Sequence, residues 1–212
     1  MLKSFEMDIL FASNNPHKRE EAQAILGPAF RVISPAEKGL PGDLPETHET
    51  LRGNAVEKAC AVWNHFQADC FADDTGLEID ALGGAPGVHT ARYAGDDKDP
   101  AANRKKVLKE LEGVPFENRT ARFRCVVALI ENGDLYVFEG ICEGHIALQE
   151  SEGVQGFGYD SLFWYPDFGA TFAEVEQERK NLVSHRARAM AEFTARLVRI
   201  LESGADCADE TR

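Results

Sequence analysis

The sequence predicts an α/β fold: a mixed β-sheet flanked by helices, with two lobes and a central substrate cleft between them. Two observations carry this expectation. Through the first half, apolar residues switch between helical spacing and short strand-like runs, so helices and strands interleave. In the second half a long period-two stretch turns at Asn132-Gly133, which is an antiparallel hairpin signal and makes the sheet mixed.

Residues 8–13 (D-I-L-F-A-S) read as a short buried strand. Pro16 suits the first turn of a helix that runs to about Leu26 and stops at Gly27-Pro28. A Pro/Gly-rich loop covers 34–45. From about Thr50 to Phe66, Leu51, Ala55, Ala59, Val62 and Phe66 fall at helical spacing. A strand follows near 69–72, and Asp73-Asp74 stand where its apolar run gives way to a turn. Asp99 caps a helix through Leu111. Residues 121–130 alternate with strand period, and 135–147 form the returning strand. Another short strand, 162–165, precedes Pro166. The last helix starts near Ser184 and shows Met190, Phe193, Leu197 and Ile200 on one face. The domain therefore covers 1–202, and 203–212 read as a frayed, disordered acidic tail.

With 212 residues the chain can bury a substantial core. No run approaches the roughly 18 apolar residues of a membrane span, and residues 1–8 lack the apolar segment of a signal peptide. Five scattered cysteines, none in a Cys-x-x-Cys, read as reduced thiols. These features predict a cytoplasmic protein. A net charge of −13 argues against nucleic-acid or membrane-surface partners. It leaves room for a small anion held by a local cationic cluster, because distant charges are screened beyond about 8–10 Å.

Four segments point to chemistry. Asp73-Asp74, with Thr75 and Gly76, places adjacent carboxylates together; hard oxygen donors of this kind suit magnesium, although the same residues could form only a solvated turn. The run Ser13-Asn14-Asn15-Pro16-His17-Lys18 joins a strand to a helix start, which can cradle a phosphate on free N–H groups, or can be a plain helix cap. Lys180, His185 and Arg186 form a basic cluster at the start of the last helix, where cations oppose the dipole and invite an anionic partner, or else a basic patch satisfied by solvent or a nearby carboxylate. Phe157-Gly158-Tyr159-Asp160 offers aromatic faces and close backbone approach to a flat ring, or a glycine-bulged strand end.

Taken in order, Ala12-Ser13-Asn14-Asn15-Pro16-His17-Lys18, Asn54-Ala55-Val56-Glu57-Lys58-Ala59, Ala72-Asp73-Asp74-Thr75-Gly76-Leu77, Leu82-Gly83-Gly84-Ala85-Pro86-Gly87-Val88, Ala91-Arg92-Tyr93-Ala94-Gly95, Gly156-Phe157-Gly158-Tyr159-Asp160 and Lys180-Asn181 with Ser184-His185-Arg186 resemble the inosine triphosphate pyrophosphatase family. The resemblance spans about residues 8–201. It implies an elongated mixed sheet, a homodimer, and magnesium-dependent cleavage of dITP, ITP or XTP between the α- and β-phosphates, giving a monophosphate and pyrophosphate. By motif position, Ser13, Asn14, Asn15, Pro16, His17 and Lys18 would hold the triphosphate, with Lys58 and Lys180 adding charge. Asp74 would be general base and metal ligand, Thr75 would lie beside the substrate, and Glu46 would be the second metal ligand. Phe157, Gly158, Tyr159, Asp160, His185 and Arg186 would hold the purine. Gly53 replaces a frequent glutamate and His17 a frequent glycine. The alternatives are a related pyrophosphatase for pyrimidine or modified nucleotides and a non-catalytic nucleotide-binding regulator.

Overall fold

In the computed structural model the described residues are 7–209, with side chains described as far as 199. One sheet organises the chain, in the order β2 (Phe30–Ile33), β1 (Met7–Phe11), β3 (Cys70–Ile79), β5 (Thr120–Glu131), β6 (Asp134–Ile146), β7 (Phe163–Tyr165) and β8 (Ala170–Thr171), with the two-residue β4 (Pro86–Gly87) on β3. β1 runs parallel to β2 and β3, and the other pairings are antiparallel. The sheet is mixed, as the sequence predicts. β2 goes unseen in the sequence because four residues are too few to show a period.

The helices match closely. α1 (Pro16–Leu26) begins on Pro16, with Asn15 capping it and Gly27 closing it at φ +72°. α2 (Leu51–Phe66) is capped by Thr50, and α3 (Pro100–Glu110) by Asp99. A short α4 (Gln177–Lys180) precedes α5 (His185–Asp209). At the hairpin Asn132 and Gly133 both have positive φ, as a tight two-residue turn requires. Backbone helix continues through the expected tail as far as Asp209. One glycine, at Gly204, costs a helix only about 1 kcal/mol relative to alanine. Residues 1–6, most of the leader segment read above, and 210–212 lie outside the described residues, as does the Ile200 side chain.

One expectation needs correction. β3 does not end at Ala72; it continues through Asp73 and Asp74 to Ile79, paired with β5 from Cys70↔Ile130 to Ile79↔Ala121. A long ladder overrides the poor strand propensity of aspartate and glycine. Strand alternation then sends the two carboxylates to opposite faces of the sheet, which relieves the mutual repulsion that their adjacency suggests.

The core falls into three clusters, two on one face of the sheet and one on the other. On one face, Phe71, Cys125, Val127 and Leu129 pack with α1 and α5 residues such as Ala22, Leu26, Met190 and Phe193. Further along the same face, Leu77, Ile79 and Phe123 pack with Val107, Leu111, Phe163 and Phe172. Asp73 and Thr75 fall between these two apolar clusters, in the alternating series Phe71, Asp73, Thr75, Leu77. On the opposite face Ala72, Val126 and Ala128 pack with Leu51, Ala55, Ala59 and Val62 of α2.

Candidate active site

The site forms where β3 lacks a neighbour. β1 pairs with it only as far as Phe11↔Phe71, and β4 only at Leu77↔Gly87 and Glu78↔Pro86. Pairing on this side lapses over 72–76. β1 is also where strand order reverses, since α1 leads from it to β2 on one side and the following chain leads to β3 on the other; ligands of α/β proteins bind beyond the carboxyl ends of strands at such a point. A cavity of about 660 Å³ opens here, within the roughly 300–1,000 Å³ of small-molecule sites. Lys18, Asp74 and Arg186, from separate elements, all line it, and so does every other residue assigned above to substrate or metal, from Ser13 and Glu46 to His185.

At one end lies the start of α1. Its N–H groups are engaged: those of His17 and Lys18 donate to Asn15 Oδ1 at 3.0 and 3.3 Å, and that of Asn15 to Ser13 Oγ at 3.3 Å. The free backbone cradle expected from the sequence is therefore internally capped. The side-chain donors at this end are the Ser13 hydroxyl, the Asn14 and Asn15 side-chain amides and the Lys18 ammonium, of which Lys18 already donates once, to Asp73. Asn14 Nδ2 meets the Gly42 carbonyl, so the 39–46 loop folds over this end.

On the α2 side of β3, Lys58 Nζ donates to Asp74 Oδ1 at 2.9 Å and to Glu46 Oε1 at 2.8 Å. Asn54 Nδ2 reaches Asp74 Oδ2 at 3.4 Å. Burial pushes Lys58 down, but Asp74, Asp73 and Glu46 outweigh it and raise its pKa. Burial pushes Glu46 up, and Lys58, Lys18 and Arg92 reverse this and keep it ionised below the usual carboxylate range. Two acids thus share one cation at the cavity wall. Among the described residues no group of three or more His, Cys, Asp or Glu side chains could hold a metal. A carboxylate pair does suit magnesium, which binds one or two carboxylates and completes its shell with water and substrate phosphates.

On the other face, buried charges form a continuous chain. Lys18 Nζ donates to Asp73 Oδ1 at 2.9 Å, and Arg186 Nη2 donates to Asp73 Oδ2 at 2.8 Å. Arg186 Nη1 continues to Glu21, whose Oε1 accepts Lys180 Nζ at 2.8 Å; Lys180 also reaches Asp160 Oδ2 at 2.7 Å. Burial pushes Asp73 up, yet Lys18, Arg186 and Lys58 hold it far below the ordinary range. Burial likewise opposes Glu21, but Arg186 and Lys180 bring it to about 2. The basic cluster is therefore not an uncompensated anion trap, because Arg186 and Lys180 each meet two carboxylates. His185 is neutral, since burial and then Arg186 drive its pKa well below 6.5. Gly140 lets α5 come this close: a side chain there would run into the His185 carbonyl.

At the far end, Asp160 Oδ2 accepts Phe157 N at 2.8 Å, and Gly156, at φ +73°, leaves room for that carboxylate. This segment is a turn and not a strand end. Tyr159 is buried, its hydroxyl donating to the Thr90 carbonyl at 2.9 Å. His185 stacks on Phe123 with centroids 4.7 Å apart, and its buried Nδ1 has no partner among the described residues. His17 stacks on Phe157 across the cavity at 5.2 Å.

Sequence reasoning missed several contributors. Glu21 is the hub of the buried chain; its signal was an acid on the inward face of α1 beside Ala22 and one turn after Lys18. Arg92 has no distinguishing signal within Ala91–Gly95, and it donates to Glu46 Oε2 at 3.0 Å. Asp73 was grouped with Asp74, and it faces away from Lys58 into the ion chain.

A sequence model of the Ham1 family matches residues 9–196. This chain belongs to the Ham1 family. The Ham1 proteins of Staphylococcus aureus and Coxiella burnetii are similar to it in structure, with TM-scores of 0.79 and 0.81, each at 37% identity. The alignments cover 90% and 91% of this chain and 97% and 99% of theirs. The dITP/XTP pyrophosphatase of Desulforamulus reducens is 47% identical over 87% of this chain and 92% of its own length. That of Bacillus subtilis is 45% identical over 88% and 95%. The family resemblance read from the motifs is thus borne out, and the Ham1 match covers both walls of the cavity. Among the described residues no helix is long and apolar enough to cross a membrane.

Proposed function

We propose that this chain hydrolyses dITP, ITP and XTP to the nucleoside monophosphate and pyrophosphate, and so removes non-standard purines from the nucleotide pool. The curated relatives bear the name dITP/XTP pyrophosphatase at up to 47% identity. The observation that carries the reading is the convergence of Glu46 and Asp74 on Lys58 in a cavity that has cationic and polar donors at one end and aromatic rings at the other.

Ser13, Asn14, Asn15 and Lys18, with the α1 dipole, hold the triphosphate; Pro16 and His17 shape that wall, and Lys58 and Lys180 add positive potential. Glu46 and Asp74 hold the magnesium ion, which when bound supplies charge against the phosphates. Asp74 accepts the proton of the water that attacks the α-phosphorus, with Thr75 beside it. Asn54 and Lys58 fix the Asp74 carboxylate for this task. At the other end Phe157 stacks on the purine and Gly158 and Tyr159 line its edge. Asp160 and Arg186 hold the surrounding wall, and the unpartnered Nδ1 of neutral His185 takes a hydrogen bond from or to the base. Oxo purines are preferred because buried groups matched to the 6-oxo edge are left unpaired by adenine. The protein acts in the cytoplasm as a homodimer.

The deciding experiment is pyrophosphate release from dITP with magnesium, run beside XTP, dGTP, dUTP and methylated UTP. Turnover confined to the last two would replace the purine reading with the pyrimidine one; no turnover at all would leave a binding regulator. Excess EDTA is expected to abolish release, and magnesium to restore it; undiminished turnover in EDTA would remove the metal from Glu46 and Asp74. Lys18→Ala is expected to raise KM for dITP about 10-fold or more, on the scale of a lost charge-assisted hydrogen bond, with a smaller change in kcat. An unchanged KM would count against the α1 end as the phosphate site.

A further inference from the structure

The cations of the cavity differ in how free they are to serve a ligand. The side chains of Lys180 and Arg186 are 2% exposed and each is held between two buried carboxylates. Turning either toward a substrate would strand buried acids, which is costly. Lys58 is 6% exposed and tied to Glu46 and Asp74. Arg92 is different: its side chain is 37% exposed, it lines the cavity, and its described acid partner is Glu46, at 3.0 Å.

Arg92 is also firmly based. It ends the 3-10 turn Thr90–Arg92. Thr90 Oγ1 donates to the Gly87 carbonyl at 2.5 Å and accepts Leu77 N at 2.8 Å. The guanidinium therefore projects from a wall fixed to β3, just beyond Asp74 and Thr75. Its partner Glu46 sits on the loop that crosses the cavity, where Gly39 and Gly42 have positive φ. Lys98 reaches Asp43 on the same loop at 3.9 Å. The loop is thus bridged to the opposite wall by two exposed cations.

We infer that Arg92 is a further substrate-binding residue, which rests on Glu46 in the free protein and turns to the phosphates of the bound nucleotide. The inference depends on the pyrophosphatase reading above, because the exchange follows from what Glu46 does there. With a divalent cation bound, Glu46 and Asp74 would hold it together, and Glu46 would have less charge to offer the Arg92 guanidinium. A polyanion between this wall and Lys18 then gives Arg92 a bidentate partner of higher charge. Arg92 and Lys18 approach the phosphates from different walls, so the polyanion bridges the lobes.

The test uses the full chain and two readouts: calorimetric binding of inorganic tripolyphosphate with magnesium, and steady-state hydrolysis of dITP. Arg92→Gln is expected to weaken tripolyphosphate about 10- to 100-fold and to raise KM for dITP similarly, on the scale of a lost hydrogen bond to a charged group. kcat should fall far less, and Arg92→Lys should recover part of the affinity. If Arg92→Gln binds tripolyphosphate and dITP like the wild type, the contact to Glu46 is only a brace and the inference fails. If the variant instead needs more magnesium while tripolyphosphate affinity at saturating metal is unchanged, Arg92 serves Glu46 alone and the inference also fails. A wild-type protein that neither binds tripolyphosphate nor turns over dITP would overturn the underlying pyrophosphatase reading, which separates the two failures.

Discussion

Asp74→Asn is expected to lower kcat for dITP by roughly 10²- to 10⁴-fold, the scale of a lost general base, while the protein folds and melts much as the wild type does. The substitution keeps the size and shape of the side chain. Lys58, which donates to Asp74 Oδ1 at 2.9 Å, retains Glu46 at 2.8 Å, so no buried ammonium is left alone. What is lost is a proton acceptor and one charge of the acid pair. Asp73→Asn makes the matching control. Asp73 lies on the opposite face of β3 and takes Lys18 and Arg186 as partners, so its loss should appear first as reduced stability. Steady-state kinetics and a thermal melt on both variants give the answer. If Asp74→Asn turns over normally, or if both variants fail in the same way, the division of labour between the neighbouring aspartates is wrong.

That division shows where the sequence was readable. Punctuation was explicit in residues whose effect is local: Pro16 and Gly27 bound α1, Thr50 and Asp99 cap α2 and α3, and Asn132-Gly133 turns the hairpin. The cavity was legible because several motifs converge on one crevice. The Asp-Asp pair was misread as a turn because its strand character comes from β5, whose pairing is non-local, and no property of Asp73, Asp74 or Gly76 advertises it. The state of the basic cluster was hidden for a similar reason. Lys180 and Arg186 look like anion receptors until Glu21, more than 150 residues earlier in the chain, is placed between them. The conflict of charge with the α5 dipole is also smaller than the sequence suggests, because burial against Phe123 keeps the His185 imidazole neutral.

Arg186→Met should destabilise the protein by about 3–5 kcal/mol at neutral pH, as breaking a buried ion pair from one side does, and lower Tm by on the order of 10 °C. Arg186 is 1% exposed. Its removal leaves Asp73 with Lys18 and Glu21 with Lys180, so three buried acids, Asp160 included, share two ammonium groups. The pH dependence distinguishes this cause from simple loss of packing. Asp73 and Glu21 have folded pKa values below their unfolded ones, Glu21 at about 2 against 4.5. Their stabilisation is therefore complete above the unfolded values and is lost as pH falls through the folded ones. Without Arg186 both acids protonate more readily, and that part of the acid dependence shrinks. The stability gap between wild type and variant should be widest near neutrality and should narrow between about pH 4.5 and 2. Burial raises the Asp160 pKa instead, which gives a dependence of opposite sign; Asp160 has no direct contact with Arg186 and keeps Lys180 in both proteins. Urea unfolding across this range measures the gap directly. A gap that stays constant with pH would assign the loss to packing, and no loss at neutral pH would mean that Lys18 and Lys180 suffice for the acids without Arg186.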